Sequence, residues 1–156
     1  MAAGVMTARR FTREDFAALH PAGWLGQRAG KKVEELMRQG EAVATAKEET
    51  PLRDVLFAIT AARAGAAAVL DDDDRMAGII TDGDIRRALL SDDKALAKKA
   101  REVMTRSPKI ARPEGLAIEA LRLMKEYKIG DMPVIDGDRR VRGMLNVKDV
   151  LDLGME

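Results

Sequence analysis

Apolar residues in the first half of the chain recur at the spacing of one helix face. Four of them stand at positions i, i+3, i+4 and i+7: Leu52, Val55, Leu56 and Ile59. This periodicity predicts a helix with one buried side. We expect Thr50 to be the N-cap and Pro51 to occupy the first turn, where a missing N–H is not needed. Gly65 is expected to end the helix in the left-handed conformation.

Short extended segments surround this helix. Residues 43–45 precede it, and a strand of small residues is predicted over 66–70 after it. An acidic turn leads to a further strand over 76–80. A last helix is expected to start near Thr81 and to bury Ile85 and Leu89. The predicted order is strand, helix, strand, strand, helix.

The second half repeats that order. Residues 109–111 are predicted to be extended, and a helix begins at about Glu114 and ends at Gly130. The apolar face of that helix is predicted to comprise Leu116, Ala120, Leu123, Met124 and Tyr127.

A hairpin and a final helix complete the second half. A strand over 132–135 turns at Asp136-Gly137, a dipeptide favoured in type I′ turns. A strand over 141–145 then leads into a helix from Asn146.

Sequence blocks recur between the halves in the same order and at nearly constant spacing. Val69 aligns with Val134 and Gly78 with Gly143, each pair 65 positions apart, and the segment ending at Met37 aligns with the one ending at Met104. Each half has only about 60 residues, too few to bury two helices and a sheet alone. We therefore predict an α+β fold in which two repeats pack with pseudo-twofold symmetry around a shared core.

The repeated pattern resembles the CBS domain. It consists of Val-x-x-Leu-Met, an apolar strand, and Gly-hydrophobic-hydrophobic-Thr/Asn-x-x-Asp, and two copies in tandem resemble a CBS pair. We place the first repeat at residues 31–92 and the second at 97–154. The second repeat has Pro133 in the segment GDMPVID, where the first has Ala68, so the second is the better copy.

The start of the chain resembles part of a particular enzyme family. Residues 11–28, FTREDFAALHPAGWLGQR, are similar to the segment that joins the sugar isomerase domain to the CBS pair in arabinose-5-phosphate isomerases. Those enzymes interconvert ribulose 5-phosphate and arabinose 5-phosphate for synthesis of Kdo, a lipopolysaccharide sugar. Residues 1–30 are therefore interpreted as a remnant or linker from an upstream catalytic domain. Ala22 and Trp24 depart from the family pattern, which predicts a different local loop.

The resemblance implies a catalytic role for His20, but only in an intact parent enzyme. Imidazole titrates near neutrality and suits proton transfer between adjacent sugar carbons. A catalytic domain needs more than about 100 residues, and about thirty precede the first repeat here. We expect no turnover from this chain alone, whether it is a cloned fragment or a natural short protein.

Composition and charge argue against several other functions. The chain has 27 Lys and Arg residues against 26 Asp and Glu, a net charge of +1, so no nucleic-acid or membrane partner is expected. It has no Cys, and therefore neither disulfides nor thiolate metal sites. No stretch of about 18 apolar residues occurs, and we expect a cytoplasmic protein. The acidic run at 71–74 is interpreted as a solvated hairpin tip, and no metal is expected.

Thr81 and Asp84 have two interpretations. They form the pattern of a capping box, in which each side chain bonds the other residue's backbone N–H. The CBS resemblance instead implies a nucleotide site, where the aspartate accepts the 2′- and 3′-hydroxyls of a ribose and the threonine lies near the phosphate. The same residues can serve both roles. Arg86 and Arg87 are expected to be solvated rather than to bind phosphate.

Asn146 and Asp149 repeat this pattern in the second half. We expect this pair to form the preferred nucleotide cleft, because Pro133 preserves the strand that faces it. The resemblance extends the predicted nucleotide-binding set to Ile110, Met132 and Pro133.

Alternative functions remain open from the sequence. The favoured hypothesis is a regulatory module that requires no cofactor, senses an adenine nucleotide or a CMP-sugar such as CMP-Kdo, and tunes an attached isomerase. A second is a structural module that forms a homodimer and binds no ligand. A third is residual isomerase activity.

Overall fold

The computed structural model of the protein describes residues 30–152. Its helices and strands follow in chain order: α1 Val33–Leu36, β1 Ala44–Lys47, α2 Leu52–Ala62, β2 Ala66–Leu70, β3 Met76–Thr81, α3 Asp82–Ser91, α4 Ala100–Val103, β4 Thr105–Arg106, α5 Ala117–Tyr127, β5 Asp131–Ile135, β6 Val141–Asn146 and α6 Val147–Asp152. The predicted mixed α+β fold is confirmed. The extended segment predicted over 109–111 pairs only as a single bridge, between Ala111 and Val134.

The sheets reproduce the sequence repeat. One has the order β1-β2-β3-β4, with β1 and β2 parallel and the other pairs antiparallel; the other is the antiparallel pair β5-β6. Val69 lies opposite Gly78 and Val134 opposite Gly143, and the register shifts directly after each valine. The 65-residue spacing therefore relates equivalent positions in space.

The segment at the start of each repeat packs on the other repeat. Arg38, after α1, exchanges two backbone hydrogen bonds with Met144 of β6, at 2.8 and 3.0 Å. In the same way Thr105 of β4 lies opposite Ile79 of β3. The hairpin β2-β3 is thus flanked by β4 of the second repeat, and the hairpin β5-β6 is flanked by the Arg38 segment of the first repeat.

Two glycines permit this close approach. A Cβ on Gly78 would lie 2.7 Å from the carbonyl oxygen of Thr105, and one on Gly143 would lie 2.6 Å from that of Arg38. Any larger residue at either position would push the crossing segment away from the strand.

Apolar side chains join the repeats as predicted. One core cluster belongs mainly to the first repeat and another to the second. A third lies between them and contains Ala66, Ala68, Ile79 and Met144, with Val43 and Val141 against it. The shared core is therefore confirmed.

The predicted start of α2 was wrong. Pro51 is the N-cap, and Thr50 makes no cap to the helix. The Thr50 hydroxyl instead accepts the backbone N–H of Lys47 at 3.0 Å, which closes the turn after β1. The Thr50 hydroxyl is therefore bonded to the end of β1 and does not cap α2.

The predicted helix ends were wrong by two residues. Arg63 takes the left-handed conformation after α2, with φ 55°, and Lys128 does so after α5, with φ 56°. Gly65 instead lies close to the other repeat, because a Cβ there would lie 2.9 Å from Oδ2 of Asp131 and would displace that carboxylate. Gly130 has open space around its Cα.

Helix α5 begins later than predicted, at Ala117 rather than about Glu114. The residues before it turn towards α1, where the carbonyls of Pro113 and Gly115 accept the backbone N–H groups of Glu34 and Val33 at 2.9 and 2.8 Å. The chain therefore cannot yet adopt helical hydrogen bonding there.

Some predicted core residues face solvent. Leu89 is 41% exposed and Tyr127 is 47% exposed, whereas Ile118 and Leu121 of α5 are buried. Both misplaced residues lie in the last turn of their helices.

The predicted type I′ turn was also wrong. The connection between β5 and β6 spans residues 136–140, and Arg139 takes the positive φ of 64°. Oδ1 of Asp136 accepts the backbone N–H groups of Asp138 and Arg140 at 2.9 and 3.0 Å. This side chain organises a longer turn than the dipeptide alone implied.

Candidate functional site

An open cleft of about 640 Å³ lies at the start of α3. We call it the first cleft. It is lined by residues 81–84, 107–109 and 127–131, together with Gly65, Ile79, Arg87 and Thr105. The start of α3 in the first repeat thus faces the end of α5 in the second.

Thr81 and Asp84 are held rigidly at the helix start. The Thr81 Oγ1 accepts the backbone N–H of Asp84 at 3.2 Å, and Oδ2 of Asp84 accepts that of Thr81 at 3.0 Å. The predicted capping box is therefore confirmed. It satisfies two backbone donors that the helix leaves free and fixes the orientation of the carboxylate.

Asp84 also accepts side-chain hydrogen bonds. Nη2 of Arg87 lies 2.6 Å from Oδ1, and the Thr105 hydroxyl lies 3.4 Å from both carboxylate oxygens. Asp84 is only 9% exposed, whereas the Arg87 side chain is 72% exposed. Arg87 is therefore solvated, as predicted, and it also contacts the Asp84 carboxylate. Its exposure leaves it space to turn towards a bound anion.

The opposite wall carries an aromatic ring and cations. Nζ of Lys109 lies 4.3 Å from the ring centroid of Tyr127, a cation–π contact. Lys128 follows directly in the same wall. The first cleft therefore combines three carboxylates, of which that of Asp84 is fixed by the capping box, with one exposed ring and three cationic side chains.

The pseudo-twofold equivalents of these residues form a second site, which we call the second cleft: Arg38, Arg63, Asn146 and Asp149. Nε of Arg38 donates to Oδ2 of Asp149 at 2.9 Å, and Nη1 donates to the carbonyl of Arg63 at 3.2 Å. The Arg38 and Asp149 side chains are 30% and 32% exposed. The carboxylate of the second cleft is thus bound by an arginine of its own chain.

Both polar atoms of the Asn146 side chain are hydrogen-bonded. Its Oδ1 accepts the backbone N–H of Lys148 at 2.9 Å, and its Nδ2 donates to Oδ1 of Asp131 at 2.9 Å. Burial raises the pKa of Asp131, against the hydrogen bond from Asn146 and the charge of Arg38, which lower it. The charges of Asp82 and Asp149 raise it further. Asp131 therefore links the two clefts electrostatically.

The remaining predicted site residues lie elsewhere. Met132 and Pro133 are fully buried, and Ile110 is half-buried. The first cleft is lined by other residues. His20 falls outside the described range of 30–152.

Sequence reasoning missed Lys109 and Tyr127. One signal was present, because the 65-residue spacing aligns Tyr127 with Ala62. An aromatic residue in one repeat where the other has alanine suggests a role that the first repeat lacks.

Comparison with known families decides the classification. A CBS-domain profile matches residues 33–91 and 100–156. The chain belongs to the CBS-domain family. It is a CBS pair, with one CBS domain in each repeat.

Curated relatives of this CBS pair are isomerases. The chain is 42% identical to arabinose 5-phosphate isomerase KdsD of Pseudomonas aeruginosa over 155 residues, which cover 99% of this chain and 48% of that protein. It is 36% identical to GutQ of Salmonella typhimurium, an arabinose 5-phosphate isomerase, with the same shares covered. The chain therefore spans about half the length of the curated relatives it matches.

Solved CBS pairs share the fold. CBSX2 in complex with AMP has a TM-score of 0.71 at 24% identity, over 81% of this chain and 97% of that one. The CBS domain pair of protein MJ0100, in complex with 5′-methylthioadenosine and S-adenosyl-L-methionine, has a TM-score of 0.70 at 24% identity, over 79% and 94%.

Residues 30–152 contain short helices and dispersed acidic side chains. None of the helices there is both long and apolar enough to span a bilayer. Within the same residues, no three His, Asp or Glu side chains are grouped so as to hold a metal ion.

Proposed function

We propose that this CBS pair binds a nucleotide or nucleotide-sugar in the first cleft and thereby regulates a sugar-phosphate isomerase of the arabinose-5-phosphate type. The observation that carries the proposal is the arrangement around Asp84. Its carboxylate is fixed at a helix N-terminus, beside an open volume of about 640 Å³ that cations also line.

Each part of such a ligand has a chemical counterpart in the first cleft. The Asp84 carboxylate can accept both hydroxyls of a ribose if Arg87 and Thr105 yield their positions. Arg87, and Lys109 and Lys128 on the opposite wall, can pair with a phosphate. Across the cleft, Tyr127 offers a ring on which a base can stack.

Relatives support the two halves of the proposal differently. AMP, 5′-methylthioadenosine and S-adenosyl-L-methionine are bound by solved CBS pairs of the same fold, which favours an adenine nucleoside group. The isomerases KdsD and GutQ support an isomerase as the whole protein, in which His20 would take part in proton transfer. CMP-Kdo, an end product of Kdo synthesis, is the alternative ligand to an adenine nucleotide. Roles in ligand binding for Ile110, Met132, Pro133, Asn146 and Asp149 stay predictions.

Calorimetric titration with AMP, ATP and CMP-Kdo tests the proposal. We expect at least one of the three to bind wild-type protein, and Asp84→Ala to weaken that binding by more than tenfold, because the diol loses its acceptor. Asp149→Ala is the matched control, since it removes the equivalent carboxylate from the second cleft, and should change the affinity by less than threefold.

Asp84→Ala also removes a helix cap, which costs about 1 kcal/mol. Asp84→Asn keeps an acceptor oxygen for the cap, so its melting temperature and affinity separate the two effects. Failure of all three ligands to bind wild type, or equal losses from Asp84→Ala and Asp149→Ala, would contradict the proposal.

Exposed apolar side chains favour a second role as an oligomerisation module. Phe57 of α2 is 67% exposed and Leu90 of α3 is 83% exposed. A homodimer would cover such residues. Light scattering should then report a dimer that Leu90→Lys weakens, and a stable dimer with no ligand bound would favour this role alone.

A further inference from the structure

We infer that Arg38 is a built-in occupant of the second cleft, so that this CBS pair offers one nucleotide site rather than two. The inference rests on the proposed function, because it assumes that an open cleft of this kind takes a nucleotide. Arg38 would then close the second cleft, the pseudo-twofold equivalent of the first.

Arg38 and Thr105 project from equivalent backbone positions. Arg38 forms its bridge with Met144, and Thr105 pairs with Ile79, which is the residue 65 positions before Met144. Both side chains reach the aspartate of the adjacent helix. Arg38 lies 2.9 Å from Asp149, and the Thr105 hydroxyl lies 3.4 Å from Asp84.

The two side chains differ in how far they extend. Arg38 continues past Asp149 to the carbonyl of Arg63, so its guanidinium joins both walls of the second cleft. In the first cleft the equivalent walls are Asp84 and Lys128, and both line the open volume. Thr105 is too short to cross it. The guanidinium therefore occupies space that is empty in the first cleft.

Charge strengthens this closure. Both cleft carboxylates hold a charge-assisted hydrogen bond to a guanidinium, which a neutral ribose hydroxyl replaces at a loss. The two arginines differ in exposure, because the Arg87 side chain is 72% exposed and free to leave Asp84, whereas the Arg38 side chain is 30% exposed and is also bound to the carbonyl of Arg63. The Arg38 carbons also remain partly buried with the ion pair. A ligand would have to displace both the charge and the side chain.

Exchanging the two residues tests the inference. The probe is AMP, titrated calorimetrically into the chain of residues 1–156, and the readout is the number of molecules bound. We expect one per chain for wild type, two for Arg38→Thr, none for Thr105→Arg, and one for the double exchange. In wild type the site should be lost with Asp84→Ala, and in the double exchange with Asp149→Ala.

Each other outcome decides between the hypotheses. If wild type binds no AMP but Arg38→Thr binds one molecule that Asp149→Ala abolishes, the inference holds while the function proposed for the first cleft fails. Two molecules bound to wild type, or a folded Arg38→Thr protein without an added site, would overturn the inference. A site lost on Arg38→Thr would overturn it too, because Arg38 would then bind the phosphate.

Stability is monitored in every variant by the melting temperature. If Arg38→Thr does not fold, Thr105→Arg tests the inference instead. A folded Thr105→Arg protein that still binds AMP through Asp84 would overturn it. Thr105→Val is the control for loss of the hydroxyl without added bulk, and we expect it to retain the first site.

Discussion

The first and second clefts share a backbone design and differ in their side chains. In the first, Thr105 leaves the volume beside Asp84 open and Tyr127 lines the opposite wall. In the second, Arg38 holds Asp149, and Ala62 stands where Tyr127 would be. The two copies therefore keep equivalent hairpins and crossing segments, while a few side chains make the two clefts differ in openness and charge.

The shared backbone design can be broken at its glycines. Gly78→Ala and Gly143→Ala should each destabilise the protein by about 1–3 kcal/mol, because a Cβ would meet a backbone carbonyl at 2.7 or 2.6 Å. Urea denaturation gives the free energy of unfolding. Similar losses at the two sites would show that the crossing segments are energetically equivalent.

Gly137→Ala is the control for this comparison. Gly137 lies in the β5–β6 turn with no atom within 4 Å of an added Cβ. Its substitution should leave the free energy of unfolding nearly unchanged. A loss at Gly143 no larger than at Gly137 would argue against the close crossing of the Arg38 segment.

The ion pairs of the two clefts should differ in strength. Arg38→Met is expected to cost about 1 kcal/mol, because it removes hydrogen bonds to Asp149 and to the carbonyl of Arg63. Arg87→Met should cost no more than about 0.5 kcal/mol, since the Arg87 side chain is 72% exposed and its pairing is screened by water. Unfolding at low and high salt measures both, and equal losses would remove the distinction between the clefts.

The smallest expected effect concerns Asp131, which lies between the clefts. Burial raises its pKa in the folded protein above the ordinary value of 3.8, so the folded state binds the proton more tightly than the unfolded state does. Its contribution to stability is therefore full below pH 3.8 and is lost as the pH rises through the raised pKa. Asp131→Asn should remove this loss and raise stability at pH 7 by less than about 1 kcal/mol.

Asp136 supplies a control of opposite sign. Backbone hydrogen bonds, that of Arg140 first, lower the pKa of Asp136, so its contribution is present at neutral pH and is lost as the pH falls through the lowered pKa. Asp136→Asn should therefore reduce stability at pH 7. Thermal melts across pH would contradict the assignment if the two variants shifted in the same direction.

The repeat made most of the fold predictable. Paired apolar blocks 65 residues apart predicted the two hairpins, the helices beside them and the shared core, because equivalent sequences bury equivalent faces. They did not predict β4, and the strand predicted over 109–111 is a single bridge. The ends of the helices were harder to predict from the sequence. Gly65 suggested a left-handed terminus, but it instead lies close to Asp131 in the other repeat.

The site was predicted only in part. The capping box of Thr81 and Asp84 is local and could be read from four consecutive residues. The preference for the cleft at Asn146 and Asp149 took no account of Arg38, whose partner is 111 positions away along the chain. Local spacing carries no information about such a contact.

The crossing of the segments has a mechanical consequence. Helix α1 and Arg38 are bonded to β6 and to the segment before α5, so a pull on the chain ahead of residue 30 would load contacts with the second repeat before it reached the strands of the first. Conversely, any movement of the second repeat would be transmitted backwards along the chain. The contacts that would bear such a load first therefore join the two repeats, although β1, the first strand along the sequence, belongs to the first repeat alone.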